Sequence, residues 1–231
     1  MADYVTIEVP GGAFQAYVAR PAIEPAPAVV VVQEIFGIND DIKETCAELA
    51  SRGFIAVAPD LFWRLEPGVS LSHWSEEEWK KGLDLYGRFD FDQGVRDVAA
   101  TIDHARAIAG GNGKAGVMGY CLGGLMTFLV SARFHADAAV EYYGGGTEGY
   151  AGEAKDIGNP LIIHVGTADE YIGPEAQATI EAAVASNPNV TFYSYPGCSH
   201  AFARHTGTKY DAEAAALANG RTWDFLETHL R

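Results

Sequence analysis

Positive charge is scarce in this chain: 16 lysine and arginine residues stand against 31 acidic ones in 231 residues, a formal net charge of −15. A nucleic-acid-binding chain needs clustered cations against phosphate, so that class is excluded. The same field repels small anions at long range, and an anionic ligand would need a local cation to hold it. Cysteine is scarce too. Cys46, Cys121 and Cys198 form no C-x-x-C pair and no disulfide framework, which fits a reducing compartment and one special thiol. No apolar run nears the roughly 18 residues of a membrane span. Met1-Ala2-Asp3-Tyr4 lacks the basic start and apolar stretch of a signal peptide. These absences predict a soluble, cytoplasmic protein with no membrane or nucleic-acid partner. Nothing in the composition marks an interface, so a monomer is the expectation. Neither an internal repeat, a low-complexity segment nor a dividing linker is found.

What is present is apolar. Hydrophobic residues make up 48% of the chain, enough core for one domain spanning 1–231. Residues 4–9 and 13–19 read as a hairpin turning at Pro10-Gly11-Gly12. Thereafter strands and helices alternate. The continuous apolar run 28–32 reads as a strand buried on both faces, followed by a helix over 40–52 and a strand over 54–58. Helices are predicted over 91–108, 122–133, 174–186 and 210–229, and strands over 115–118, 138–142, 161–165 and 190–195. The fold class is therefore α/β, a mostly parallel central sheet flanked by helices on both faces, with active groups beyond the carboxyl ends of the strands. The irregular stretch 60–76 reads as a lid or cap.

The densest chemical signal is Gly119-Tyr120-Cys121-Leu122-Gly123-Gly124. It has the G-x-nucleophile-x-G form of a strand–turn–helix elbow, with cysteine as the nucleophile. A thiol needs a base, because the thiolate is the reactive form. Asp169 lies just past one predicted strand, in Gly166-Thr167-Ala168-Asp169, and His200 just past the next, in Pro196-Gly197-Cys198-Ser199-His200. The order nucleophile, acid, histidine is that of the α/β-hydrolases. His200 would be general base and acid, Asp169 would fix its tautomer, and Cys121 would carry the acyl group.

Each residue also has a plainer reading. A glycine-rich turn can hold a buried, inert cysteine, and Asp169 can cap a turn or a helix. Cys46 and Cys198 read as packing residues. His73, His104, His135, His164, His205 and His229 read as surface or core residues, with no metal-ligand spacing among them. The segment Gln33-Glu34-Ile35-Phe36-Gly37-Ile38-Asn39 ends a buried strand as an oxyanion-hole loop would, or as an ordinary loop in which Asn39 or Asp40 caps the next helix.

These motifs, with Pro59-Asp60-Leu61, Tyr142-Tyr143-Gly144 and His200-Ala201-Phe202-Ala203-Arg204, resemble those of the dienelactone hydrolases, or carboxymethylenebutenolidases, over nearly the whole chain. The resemblance implies one α/β-hydrolase domain, no cofactor and no metal. It implies a triad of Cys121, His200 and Asp169, with Glu34 holding the thiol and taking its proton when substrate arrives. Ile35 and Leu122 would supply the oxyanion-hole N–H groups, and Arg204 would bind the substrate carboxylate, with Phe36, Tyr143, Lys81 and Trp79 as further substrate contacts. The implied reaction is hydrolysis of dienelactone to maleylacetate, a step in chlorocatechol breakdown. One departure bears on the substrate. Where the family carries an arginine and a tyrosine ahead of Phe89-Asp90, this chain places Trp79 and Leu83, with Lys80, Lys81 and Tyr86 nearby. Lysine is a mobile point charge and no equal of an arginine fork. Partial replacement of the clamp by Lys80 or Lys81, or a larger and less anionic ester as substrate, are the alternatives.

Overall fold

Why the chain begins with a hairpin is visible in a computed structural model, which describes residues 2–231. Pro10 and Gly11 form the turn, Gly11 taking a positive φ of 93° that glycine adopts without strain. β1 (Ala2–Val9) and β2 (Gly12–Ala19) then pair antiparallel from Val9↔Gly12 outward. Two compact units divide the chain, residues 1–117 and 118–231.

In the first unit, β3 (Ala26–Val32) is buried at every position, as its unbroken apolar run predicts. α1 (Asp40–Ser51) follows, and the cap left open between Asn39 and Asp40 is Asn39, whose side chain accepts from Ile42 N at 3.1 Å. β4 (Ile55–Pro59) lies between β2, to which it is antiparallel, and β3, to which it is parallel. The stretch ahead of Phe89 holds a helix not predicted from the sequence, α2 (Glu76–Arg88). Trp79, Leu83 and Tyr86 recur along it at helical spacing, although only Gly82 and Leu85 are buried. α3 (Phe91–Arg106) leads into β5 (Gly111–Tyr120), which stands next to β3 and continues into the second unit. β5 is longer than the strand expected over 115–118, and near its start Lys114 N donates to Asn112 Oδ1 at 2.9 Å in an Asx bond.

In the second unit, α4 (Leu122–Arg133) starts and stops as expected and is buried from Leu122 to Ser131. β6 (Ala139–Tyr142), β7 (Leu161–Gly166) and β8 (Val190–Tyr195) follow β5 in that order, pairing parallel with one another. A 3₁₀ segment (Thr147–Asp156), unmarked in the sequence, joins β6 to β7. α5 (Pro174–Val184) and α6 (Ala212–Leu230) complete the unit. Among the described residues no helix is long and apolar enough to cross a membrane.

One buried group gives this unit a pH dependence. Glu141 on β6 is fully buried; its Oε1 accepts from Thr147 Oγ1 at 2.8 Å, while Oε2 has no hydrogen-bond partner. Burial pushes its carboxyl up, the Thr147 bond pulls back, and the Glu148 charge adds to the rise, to about 8. Between the ordinary carboxylate value near 4.5 and about 8, the unfolded chain releases this proton and the folded chain keeps it. Stability contributed by the neutral acid is therefore full below that window and lost as pH rises through it. Glu141→Gln is expected to flatten the loss and to be more stable than the parent at pH 8, by on the order of a few kcal/mol. Urea midpoints at pH 5 and pH 8 check this; an identical fall in both proteins would refute it.

Candidate active site

The elbow residue is strained in the manner of a nucleophile. Cys121 closes β5 and precedes α4 with φ 54° and ψ −114°, a conformation costly for any residue with a Cβ. Its N–H donates to Tyr142 O at 3.0 Å and its carbonyl accepts from Leu125 N at 3.1 Å, so the backbone is held on both sides. The side chain is left partly exposed. Leu122 is the first residue of α4, and a first-turn N–H has no partner inside its own helix. It points to where negative charge is favoured.

Among the described residues Cys121 is one of three non-glycine residues with positive φ; Tyr143 (39°) directly follows β6, and Ala201 (59°) lies in the loop after β8. Tyr143 N donates to His164 O at 2.8 Å, and its fully buried ring lies 5.0 Å from the His200 ring and 5.8 Å from Phe202.

Asp169 and His200 meet as the order along the chain suggests. His200 Nδ1 lies 2.8 Å from Asp169 Oδ2, both side chains almost wholly buried. The capping reading of Asp169 is also partly realised, in a turn rather than a helix: Oδ1 accepts from Tyr171 N at 2.8 Å and Ile172 N at 2.9 Å. The carboxylate is thus aimed by its own loop before it meets the ring. Ala168 N to Cys198 O at 2.9 Å and Gly197 N to Thr167 Oγ1 at 2.8 Å fasten this loop to the one bearing His200.

Burial disfavours a charged His200, but the negative sulfur of Cys121 and the bond and charge of Asp169 outweigh it, pushing the pKa up to about 10. Cys121 acts on the ring through its charge first and through a hydrogen bond second. A thiol beside an imidazole oriented by a carboxylate is equipped to pass its proton to the ring, attack an acyl carbon and have that proton returned to the leaving group. Cys198 is buried, and burial, followed by the Asp211 charge, pushes its thiol up, which suits a packing residue.

Two further residues of this loop pair were not singled out in the sequence. Glu170 Oε2 accepts from His200 N at 3.1 Å while Oε1 holds Lys209 at 3.3 Å. Tyr171 is 59% exposed and sets its ring edge-on to His200 at 4.8 Å, forming the solvent side of the histidine. Only their adjacency to Asp169 could have found them. Arg204 is partly buried four residues past His200, in a turn closed by its own N–H to Ala201 O at 3.1 Å.

The remaining expected site residues lie in the first unit. Glu34 and Ile35 are buried at 4% and 6% exposure in the loop after β3. α2 approaches that loop closely, for a Cβ on Gly82 would meet Ile35 O at 3.0 Å. Phe36 is buried and packs edge-to-face on Trp79 at 4.9 Å, and the Trp79 indole donates to His73 O at 2.7 Å. Lys81 Nζ is held by Glu66 Oε1 at 2.5 Å, whereas Lys80 is exposed. Among the described residues no group of three or more His, Cys, Asp or Glu side chains is arranged to hold a metal ion.

Residues 14–230 match the model of the dienelactone hydrolase family. Carboxymethylenebutenolidase 1 of Cupriavidus pinatubonensis and a carboxymethylenebutenolidase of Pseudomonas putida are each 40% identical to this chain, over 94% of it and 92% of the relative. The crystal structure of a Klebsiella pneumoniae protein provisionally named a dienelactone hydrolase superposes with a TM-score of 0.84 at 28% identity, covering 98% of both chains. The sheet and its helices are those of the α/β-hydrolase fold.

Proposed function

Since the chain belongs to the dienelactone hydrolase family, and is by that membership a carboxylic ester hydrolase, we propose that it opens dienelactone (4-carboxymethylenebut-2-en-4-olide) to maleylacetate through an acyl enzyme on Cys121. The observation that carries the reading is the pair of His200 and Asp169 at 2.8 Å, with a strained Cys121 at the elbow before α4. In this reading the sulfur attacks the lactone carbonyl and the ring C–O bond breaks. The ring oxygen leaves as an enolate, and either the imidazolium or the attacking water protonates it. Water, giving its proton to the neutral imidazole in the first case or to the enolate in the second, then attacks the thioester carbonyl, the C–S bond breaks, and the thiolate returns. Leu122 N–H, together with Ile35 N–H from the family pattern, would hold the oxyanion. Arg204 would take the substrate carboxylate against the acidic field of the chain.

Glu34 enters this reading, on the family pattern, as the group that takes the thiol proton on substrate arrival where His200 has not already taken it. Glu34→Gln is therefore expected to slow single-turnover acylation by more than it weakens substrate binding. Equal acylation rates in the two proteins would remove Glu34 from the reading. The reading includes a single-domain monomer working in the cytoplasm; the three cysteines, all free, support a reducing compartment.

A second reading is favoured by the first unit. Lys81 is already engaged by Glu66, and Trp79 presents an aromatic surface packed on Phe36, so this side offers apolar area more readily than a second carboxylate clamp. A larger or neutral ester would suit it. The deciding experiment is a substrate profile of the purified protein beside Cys121→Ala. The dienelactone reading expects the higher kcat/KM on cis- or trans-dienelactone, and the second expects it on the neutral esters. Activity retained in Cys121→Ala would overturn both.

A further inference from the structure

His164 is an isolated histidine in an apolar strand, fully buried, and no step of the reaction above uses it. Its surroundings are nonetheless built. Tyr195 OH lies 2.8 Å from Nδ1 and Thr222 Oγ1 lies 3.1 Å from Nε2. Tyr193 stacks on the ring at 5.6 Å and Tyr142 tilts against it at 4.6 Å. Arg221 lies over the Tyr193 ring at 4.1 Å and donates to Tyr195 OH at 3.1 Å. Burial, then the Arg221 charge, push the His164 pKa down to about 3, so the ring is neutral and one tautomer must be chosen.

The partners choose it. Arginine can only donate, so the Tyr195 oxygen accepts from Arg221 and its own proton is available to Nδ1. With Nδ1 accepting, Nε2 carries the hydrogen and donates to Thr222 Oγ1. Tyr142 OH donates to Asn219 Oδ1 at 2.8 Å, leaving its oxygen to accept from Thr222 Oγ1 at 2.7 Å. Every donor finds one acceptor in a single direction, from Arg221 through Tyr195, His164, Thr222 and Tyr142 to Asn219. The opposite tautomer would leave the Tyr195 proton without an acceptor among these groups, a costly arrangement in a buried site.

The two ring-bearing residues at the centre of this chain, Tyr142 and His164, are register partners on β6 and β7. Their carbonyls are also the ones that hold the strained backbone above: Tyr142 O accepts from Cys121 N at 3.0 Å and His164 O from Tyr143 N at 2.8 Å. Residues at positive φ persist only where their surroundings over-determine them. We propose that His164 is a positioning residue for the nucleophile, its one-way hydrogen-bond chain to Tyr195, Thr222 and Tyr142 fixing the two strand-end carbonyls on which Cys121 and Tyr143 hang.

The inference rests on Cys121 being the acylated residue, and the test separates the two. The probe is p-nitrophenyl acetate, followed as a pre-steady-state burst whose amplitude counts working sites and whose rate reports acylation. His164 itself is left in place, because removing a fully buried ring risks the fold; Tyr195→Phe and Thr222→Val each remove one link with little change of shape. Both are expected to keep the burst amplitude and the apparent KM while acylation slows roughly ten-fold, as a small misplacement of a nucleophile does. Thr222→Ser, which keeps the hydroxyl, is expected to restore the rate. Acylation within about two-fold of the parent in both link-breaking variants, with or without a reduced amplitude, would overturn the positioning role. Turnover of p-nitrophenyl acetate retained in Cys121→Ala would overturn the acyl-enzyme reading and this inference with it.

Discussion

Cys121→Ala is expected to lower turnover on the order of 10³-fold or more, as loss of a nucleophile does, and to move the titration of His200 down from about 10. The two effects have one origin. The foremost upward influence on His200 is the sulfur charge; without it, burial pulls the ring toward neutrality against Asp169 alone. In the parent the ring stays charged through neutral pH and gives up its proton only as pH climbs toward about 10. In the variant that loss is expected at lower pH, and Cys121→Ser, whose hydroxyl does not ionise at neutral pH, is expected to follow the alanine variant. Imidazole proton resonances followed against pH read this without any substrate. A ring that still titrates near 10 in both variants would show that Asp169 carries the whole effect, and the ion-pair description of the site would fall.

How much of this was legible in the sequence depended on the range of the interactions. The elbow was legible because its parts are contiguous: an apolar strand, a glycine on each side of the cysteine, then an apolar helix, with α4 beginning at Leu122 and ending at Arg133 as the pattern predicts. The Asp169 and His200 pairing followed from two strand ends whose parallel register places them side by side. α2 was passed over although two signals marked it. Trp79, Leu83 and Tyr86 stand at helical spacing, but the stripe is short and only Gly82 and Leu85 of the helix are buried. The other mark was local, Ser75 followed by Glu76, Glu77 and Glu78, where the serine oxygen accepts from Glu78 N. His164 could not be read at all, since Thr222, its partner on α6, is 58 residues away. An apolar strand containing one histidine looks the same whether the ring is idle or bonded at both nitrogens. Trp79 was legible as a departure in residue type, but its engagement with Phe36 and His73 needed coordinates.

Gly119→Ala is expected to be the most damaging small change in the second unit. Gly119 is not at a positive φ, so the argument is one of space rather than of backbone strain. A Cβ there would lie 2.1 Å from Gly123 O, 2.3 Å from Gly123 C and 2.8 Å from Thr127 Oγ1. None of these can yield cheaply. Gly123 O belongs to the first turn of α4 and is held by Thr127 Oγ1 at 2.9 Å, and the helix behind it is buried along ten residues. Moving the helix start would carry Cys121 away from its bond to Tyr142 O, so stability and nucleophile position are lost together. A loss of about 3 kcal/mol or more in folding stability is expected, at the upper end of overpacking costs. Gly124→Ala should behave similarly, its Cβ meeting Tyr142 O at 2.6 Å and Gly144 Cα at 2.8 Å. Gly145→Ala, with nothing within 4 Å of the added carbon, is the control expected to change neither quantity. Urea midpoints and acylation burst rates measured on the three variants decide the matter. A Gly119→Ala protein with the parent's midpoint and burst rate would mean that α4 can retreat from β5 without moving the thiol, and that the close approach of strand and helix is not what sets the cysteine in place.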